Sequence, residues 1–164
     1  MLSGFAAPVT MATRFTARIV QKFRQARLPR RAAGAQNGGM PKRVLVVDDH
    51  VATVETTVAF LRSHGHDAKG CYSGKEALEA VRDFDPDAVV MDISMPGITG
   101  WDAARTIRED FPGKRPLLIA VTGKYKGAAD LILTKMNGFD HYFLKPTEPA
   151  KLVELIERDT ASDQ

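Results

Sequence analysis

Cysteine is almost missing from this chain of 164 residues: the single Cys71 has no partner for an internal disulfide. That fits a reducing, cytoplasmic setting. No apolar run reaches the roughly 18 residues that a membrane-spanning helix needs, so none is expected. His64, His66 and His141 lack the cysteine or carboxylate spacing of a metal-ligand set. They are expected at a helix end, in a loop and in a strand. Acidic residues are missing from the first 41 positions, which hold seven of the 23 basic residues. Residues 42–164 therefore carry sixteen basic residues against twenty acidic ones. The formal charge of +3 and the pI near 9.1 describe neither part, and they are no argument for nucleic-acid binding.

What is present divides at about residue 41. The tail closes on AAGAQNGG (Ala32–Gly39), a linker composition with little to bury. Before it, Met11, Phe15, Ile19 and Phe23 recur every four residues beside Arg14, Arg18 and Lys22, a short basic amphipathic pattern. Residues 1–41 are read as a basic, disordered extension, with membrane-surface or nucleic-acid binding by residues 14–31 as the functional alternative. Met40 is followed at once by PKRVLVVDD, a natural opening for a domain over residues 42–158. Residues 159–164 form a short C-terminal tail, with no room for an output domain, so any output is expected to act in trans.

The domain alternates. Val44–Val47 is a β-branched apolar run that predicts a strand buried on both faces. Val51, Val54, Val58 and Leu61 fall at helical spacing, and Gly65 can stop that helix. Asp67–Tyr72 is a weaker strand. Ser73 and Glu76 form a candidate capping box for a helix to about Phe84. Ala88–Met91 is a third strand. The loop Met95–Gly100 leads to a helix over Trp101–Phe111, with Trp101 expected to pack near the strand ends. Leu117–Val121 is a fourth strand, followed by a looser helix from about Gly127 to Asn137 with Gly138 as its stop. His141–Leu144 is a fifth strand, and Glu148–Arg158 a last helix burying Leu152, Leu155 and Ile156. Five strands alternating with five helices predict an α/β fold: a flavodoxin-like (βα)5 three-layer sandwich with parallel strand order 2-1-3-4-5.

In that order the carboxyl ends of strands one and three meet at the switch point. They carry Asp48, Asp49 and Asp92. Carboxylates this close repel unless a cation lies between them, and oxygen donors without His or Cys favour Mg2+. Strands four and five end at Thr122 and Lys145, a hydroxyl and an ammonium suited to phosphoryl oxygens. An ionised Asp needs no general base to attack phosphorus. Each residue alone has an ordinary explanation: acids cap helices, threonine favours strands, and lysine is usually a solvated charge. The four strand ends together are the signal.

VLVVDD (Val44–Asp49), VVMDISMPGITG (Val89–Gly100), LLIAVTG (Leu117–Gly123) and DHYFLKP (Asp140–Pro146) resemble the response-regulator receiver domains of two-component signalling. The spacings from Asp49 to Asp92, Asp92 to Thr122 and Thr122 to Lys145 are 43, 30 and 23 residues. The resemblance implies a stand-alone receiver with Asp92 as phosphoacceptor. It further implies Mg2+ on Asp48, Asp49, Asp92 and the Ser94 backbone carbonyl, Thr122 as switch hydroxyl, and Lys145 on a phosphoryl oxygen. Tyr142 would be an aromatic switch, and the Lys145–Pro146 bond would be cis. Ser94 and Lys124 would flank the phosphoryl group and tune its lifetime. The loop Lys124–Gly127 departs from the usual form. Implied partners are a histidine kinase or histidine phosphotransfer protein, a downstream protein target, and a second copy through the helix-four to helix-five face. Direct DNA binding by the receiver is not implied. The implied chemistry is self-phosphorylation and self-dephosphorylation, not enzymatic turnover.

Two other readings stay open. A degenerate receiver would act as a docking module without phosphate. A Mg2+-dependent aspartyl-phosphate phosphohydrolase would want an acid two residues after Asp92, where this chain has Ser94, and a cap for substrate.

Overall fold

Residues 40–111 and 115–160 are described by the structure, a computed structural model. The basic tail and its amphipathic pattern, at residues 1–39, lie outside the described residues, as do residues 161–164.

The elements run β1 (Arg43–Val47), α1 (Val51–Ser63), β2 (Asp67–Cys71), α2 (Gly74–Phe84), β3 (Ala88–Met91), α3 (Gly100–Asp110), β4 (Leu117–Thr122), α4 (Ala128–Met136), β5 (His141–Leu144) and α5 (Pro149–Asp159). The strands form one parallel sheet in the order β2-β1-β3-β4-β5. The predicted architecture and strand order are therefore both present.

The sheet separates two cores because side chains alternate along each strand. Leu45 and Val47 of β1 face one side with Met91, Leu118 and Ala120, where α2 and α3 cover them through Ala77, Val81, Ala103 and Ile107. Val44 and Val46 face the other side with Val90, Ile119 and Val121, under Val54, Val58 and Leu61 of α1 and Leu152, Leu155 and Ile156 of α5. This explains why VLVV is apolar at every position: both of its faces are covered. Val51 departs from its predicted stripe and is 52 % exposed. It opens α1, four residues past the end of β1.

Local chemistry sets the boundaries. Ser73 Oγ accepts from the Glu76 backbone N–H at 3.2 Å. The Glu76 carboxylate accepts from the N–H of Tyr72, not of Ser73, so the expected capping box forms by half. Helix α3 starts one residue earlier than expected because Thr99 caps it, its hydroxyl accepting from the Asp102 N–H at 3.2 Å. Gly65 and Gly138 follow α1 and α4 at φ +86° and +95°, the left-handed conformation that ends a helix at least cost with glycine. Helix α5 takes in Asp159, one residue past the expected end. His66 does lie in a connection, but it is buried, 6 % exposed.

Candidate functional site

The parallel sheet brings the carboxyl ends of its strands to one edge. Asp48 and Asp92 follow β1 and β3, and the ladder continues into them: the Asp92 N–H donates to Val47 O at 2.9 Å, and the Asp48 N–H to Cys71 O at 3.2 Å. Both carboxylates are buried, 3 % and 5 % exposed. Lys145 follows β5 and reaches across β4 to both of them. Its Nζ lies 2.5 Å from Asp48 Oδ2 and 3.0 Å from Asp92 Oδ2. Burial pulls this ammonium's pKa down, and the two carboxylates outweigh that effect and hold it above its ordinary value. Two buried acids bridged by one cation leave the centre with excess negative charge, before Asp49 is counted. Such a set of oxygen donors fits a hard divalent ion.

The other predicted positions gather around this centre. Asp49 is partly exposed beside the pair. Ser94 donates its backbone N–H to Asp92 Oδ1 at 3.0 Å, and its own hydroxyl is buried without a hydrogen-bond partner. Thr122, fully buried, ends β4; its carbonyl accepts from the Lys145 N–H at 2.9 Å, which ties the tips of β4 and β5 together. The Lys124 N–H approaches Thr122 Oγ1 at 3.4 Å. The Lys145–Pro146 bond is cis. Tyr142 lies on β5 in register with Ala120 of β4, which pairs with Met91 just before Asp92; it is half-buried, its hydroxyl donating to the carbonyl of Tyr125. Burial raises its phenol pKa, with Asp130 adding to the effect.

Three features escaped the sequence reading. His50 Nδ1 lies 3.2 Å from Asp48 Oδ1 and 3.1 Å from Asp49 Oδ1. Its position directly after the paired acids was the available signal. A cleft of about 620 Å3 opens between α1 and α5, floored by Val46, Val90 and Val121 and walled by Thr53 and Thr56, and it ends on Asp48, Asp92 and Lys145. Nothing in linear order announces it. Trp101 turns its ring to Tyr125, with centroids 4.6 Å apart, and donates Nε1–H to Thr134 Oγ1 at 3.2 Å. It therefore joins α3 to α4.

Comparison with known proteins agrees with this fold. Residues 44–157 match the family described as the response regulator receiver domain. The chain is 37 % identical over 117 residues to the DNA-binding response regulator MtrA of Mycobacterium tuberculosis, covering 71 % of this chain and 50 % of that protein. It thus spans about half the length of its mycobacterial relatives. Protein PilH of Pseudomonas aeruginosa is 32 % identical, over 70 % of this chain and 93 % of PilH. The receiver domain of the P. aeruginosa sensor histidine kinase PA1611 superposes with a TM-score of 0.67 at 28 % identity, over 74 % of this chain and 99 % of that one. That structure holds a magnesium ion in its active-site cleft. The match runs from β1 into α5, and on that ground this chain belongs to the response regulator receiver domain family of two-component signalling.

Proposed function

We propose that Asp92 accepts a phosphoryl group from a histidine kinase or histidine phosphotransfer protein, with Mg2+ held by Asp48, Asp49, Asp92 and the backbone carbonyl of Ser94. The observation that carries this reading is the Lys145 bridge, one ammonium on two buried carboxylates from separate strands. When bound, Mg2+ supplies charge neutralisation for the phosphoryl oxygens. The protein's own residues do the rest. Asp92 Oδ forms the new bond to phosphorus as the bond from phosphorus to the donor imidazole breaks, and the histidine leaves. Lys145 moves from the Asp92 carboxylate to a phosphoryl oxygen, exchanging one charge-assisted hydrogen bond for another. Thr122 donates its hydroxyl to a second oxygen. Tyr142 follows as the aromatic switch, leaving its bond to the Tyr125 carbonyl, and the loop before α4 moves with it.

Phosphate turnover is confined to the protein's own acyl phosphate. The output is the face of α4, β5 and α5, read by a protein target or a second copy. The place of action is the cytoplasm, with the kinases it serves. Among the described residues no helix is long and apolar enough to cross a membrane.

The test is phosphorylation of the full chain by a kinase's phosphohistidine or by a small acyl phosphate, followed by intact-mass analysis. One phosphoryl group is expected on the wild type, none on Asp92→Asn, and none when the divalent ion is chelated. Phosphate arriving at another residue, or none with Mg2+ present, overturns the reading.

A further inference from the structure

His66 is a buried ionisable group that the phosphoryl chemistry leaves unused. It lies in the connection from α1 to β2, at the amino ends of the strands, the edge of the sheet opposite Asp92. Its side chain is 2 % exposed, and its two ring nitrogens face different elements. Nδ1 accepts from the backbone N–H of Lys42, just before β1, at 3.4 Å. The neutral ring therefore carries its proton on Nε2. That nitrogen is buried without a hydrogen bond, 3.8 Å from Glu157 Oε1 on α5. An unpaired polar group is unfavourable in the interior and calls for an explanation. Lys42 is itself a junction. Its carbonyl accepts from the Asp67 N–H at 2.9 Å, and its Nζ donates to the carbonyl of Thr160, directly after α5, at 2.9 Å. The other titratable neighbours are His64, just past α1, and Asp67, which is exposed.

We infer that His66 is a proton-operated latch with two alternative partners, the Lys42 backbone when the ring is neutral and the Glu157 carboxylate when it is charged. A proton taken from solvent onto Nδ1 turns that nitrogen from an acceptor into a donor. Two donors then face each other at Nδ1 and the Lys42 N–H, and their bond is lost. The same proton makes the ring a cation. Glu157, already 3.8 Å from Nε2, closes to a charge-assisted hydrogen bond. One protonation thus releases the chain where it enters β1 and draws α5 toward the α1–β2 connection. Burial opposes the charged ring more than Glu157 favours it, and His64 and Lys42 add to that opposition, so the exchange falls below pH 6.5. The latch gives α5, a helix of the proposed output face, a second input besides phosphate. That use rests on the proposed function; the exchange of partners does not.

The test follows the full chain by nitrogen NMR from about pH 7.5 to about pH 5, the range in which histidine titrates. It reads the His66 ring nitrogens and the backbone amides of Lys42, Glu157 and Thr160. In the wild type the three amides are expected to move together with the ring, at a midpoint below 6.5. In Glu157→Gln that midpoint falls by about half a pH unit or more, because the charged ring loses its partner. His66→Asn puts an acceptor that does not titrate in the place of Nδ1, so the Lys42 amide stays bonded and its signal is flat with pH. His64→Gln leaves the Lys42 titration in place. A Lys42 amide that stands still while His66 titrates, or that still titrates in His66→Asn, overturns the inference. So does a midpoint unmoved in Glu157→Gln, a change at a partly exposed side chain that leaves the core intact. Phosphorylation of Asp92 is read separately by intact mass, so failure of the latch leaves the proposed function standing.

Discussion

Lys145 compensates two buried acids at once, which makes its removal more than the loss of one contact. With Lys145→Met, Asp48 and Asp92 face each other unneutralised. Stability is expected to fall by about 1–3 kcal/mol in urea unfolding without metal, and by less with Mg2+ present, since an added cation takes up the charge. Equal losses in both conditions would argue against a cation deficit at this edge. Gly100 illustrates a different constraint. A Cβ there would stand 2.3 Å from the Asp92 carbonyl oxygen and 2.7 Å from Ile93 Cα, both backbone. Gly100→Ala must therefore push α3 away from the loop that follows the proposed phosphoacceptor. A cost of about 1–3 kcal/mol is expected in the same measurement. His66 carries a pH dependence. Its Nδ1 accepts from the Lys42 N–H at 3.4 Å, and its Nε2 is buried without a hydrogen bond, 3.8 Å from Glu157 Oε1. Burial, opposed in part by Glu157, lowers its pKa below 6.5. The unfolded chain thus binds a proton at this position before the folded one does, and stability falls as pH drops below about 6.5. His66→Phe is expected to flatten that slope, measured as the urea midpoint between pH 7 and pH 5.

Helix α4 is the element with the least hold on the fold. Its only buried residue is Thr134, whereas Leu131, Ile132, Leu133 and Met136 are 40–78 % exposed. Its anchor is a polar one: Trp101 Nε1–H on Thr134 Oγ1, with the Trp101 ring against Tyr125 in the loop that precedes the helix. Tyr142 also donates to the carbonyl of Tyr125, so a movement of that loop reaches both α4 and β5. Hydrogen exchange is expected to be fastest, among the five helices, in α4, and faster still in Trp101→Phe, with α1 and α3 unchanged. Uniform protection across the helices would remove α4 as the moving part of the proposed switch. The indole is also expected to report phosphorylation of Asp92 as a change in intrinsic fluorescence, through the Tyr125 loop.

At the scale of the whole molecule, one sheet with a core on each face carries the stability, and its exposed end carries the chemistry. Leu45, fully buried at the centre of β1, belongs to the core under α2 and α3. Leu45→Ala is expected to cost about 3–4 kcal/mol by urea unfolding. The apolar residues exposed along α4, with Leu144 at the end of β5, form the surface expected to meet a partner. The cleft between α1 and α5 lies on the other side of the sheet and opens onto the same carboxylates.

Much of this was legible in linear order because it rests on period and punctuation. The apolar runs at Val44–Val47, Ala88–Met91 and Leu117–Val121 mark strands covered on both sides, and an α/β alternation of this length has few ways to wind. Since each strand's end is fixed by where its apolar run stops, the residues at the carboxyl edge could be named as well. What the linear order did not carry depends on distances between separate segments. The burial of His66, the exposure of Val51, the meeting of Trp101 with Thr134, and the reach of Lys145 to both acids arise when helices settle on the sheet. Only packing fixes which side of a side chain finds a neighbour. His50 shows the division most plainly: its place after Asp49 is written in the chain, but the aim of its nitrogen at two carboxylates is set by where α1 begins.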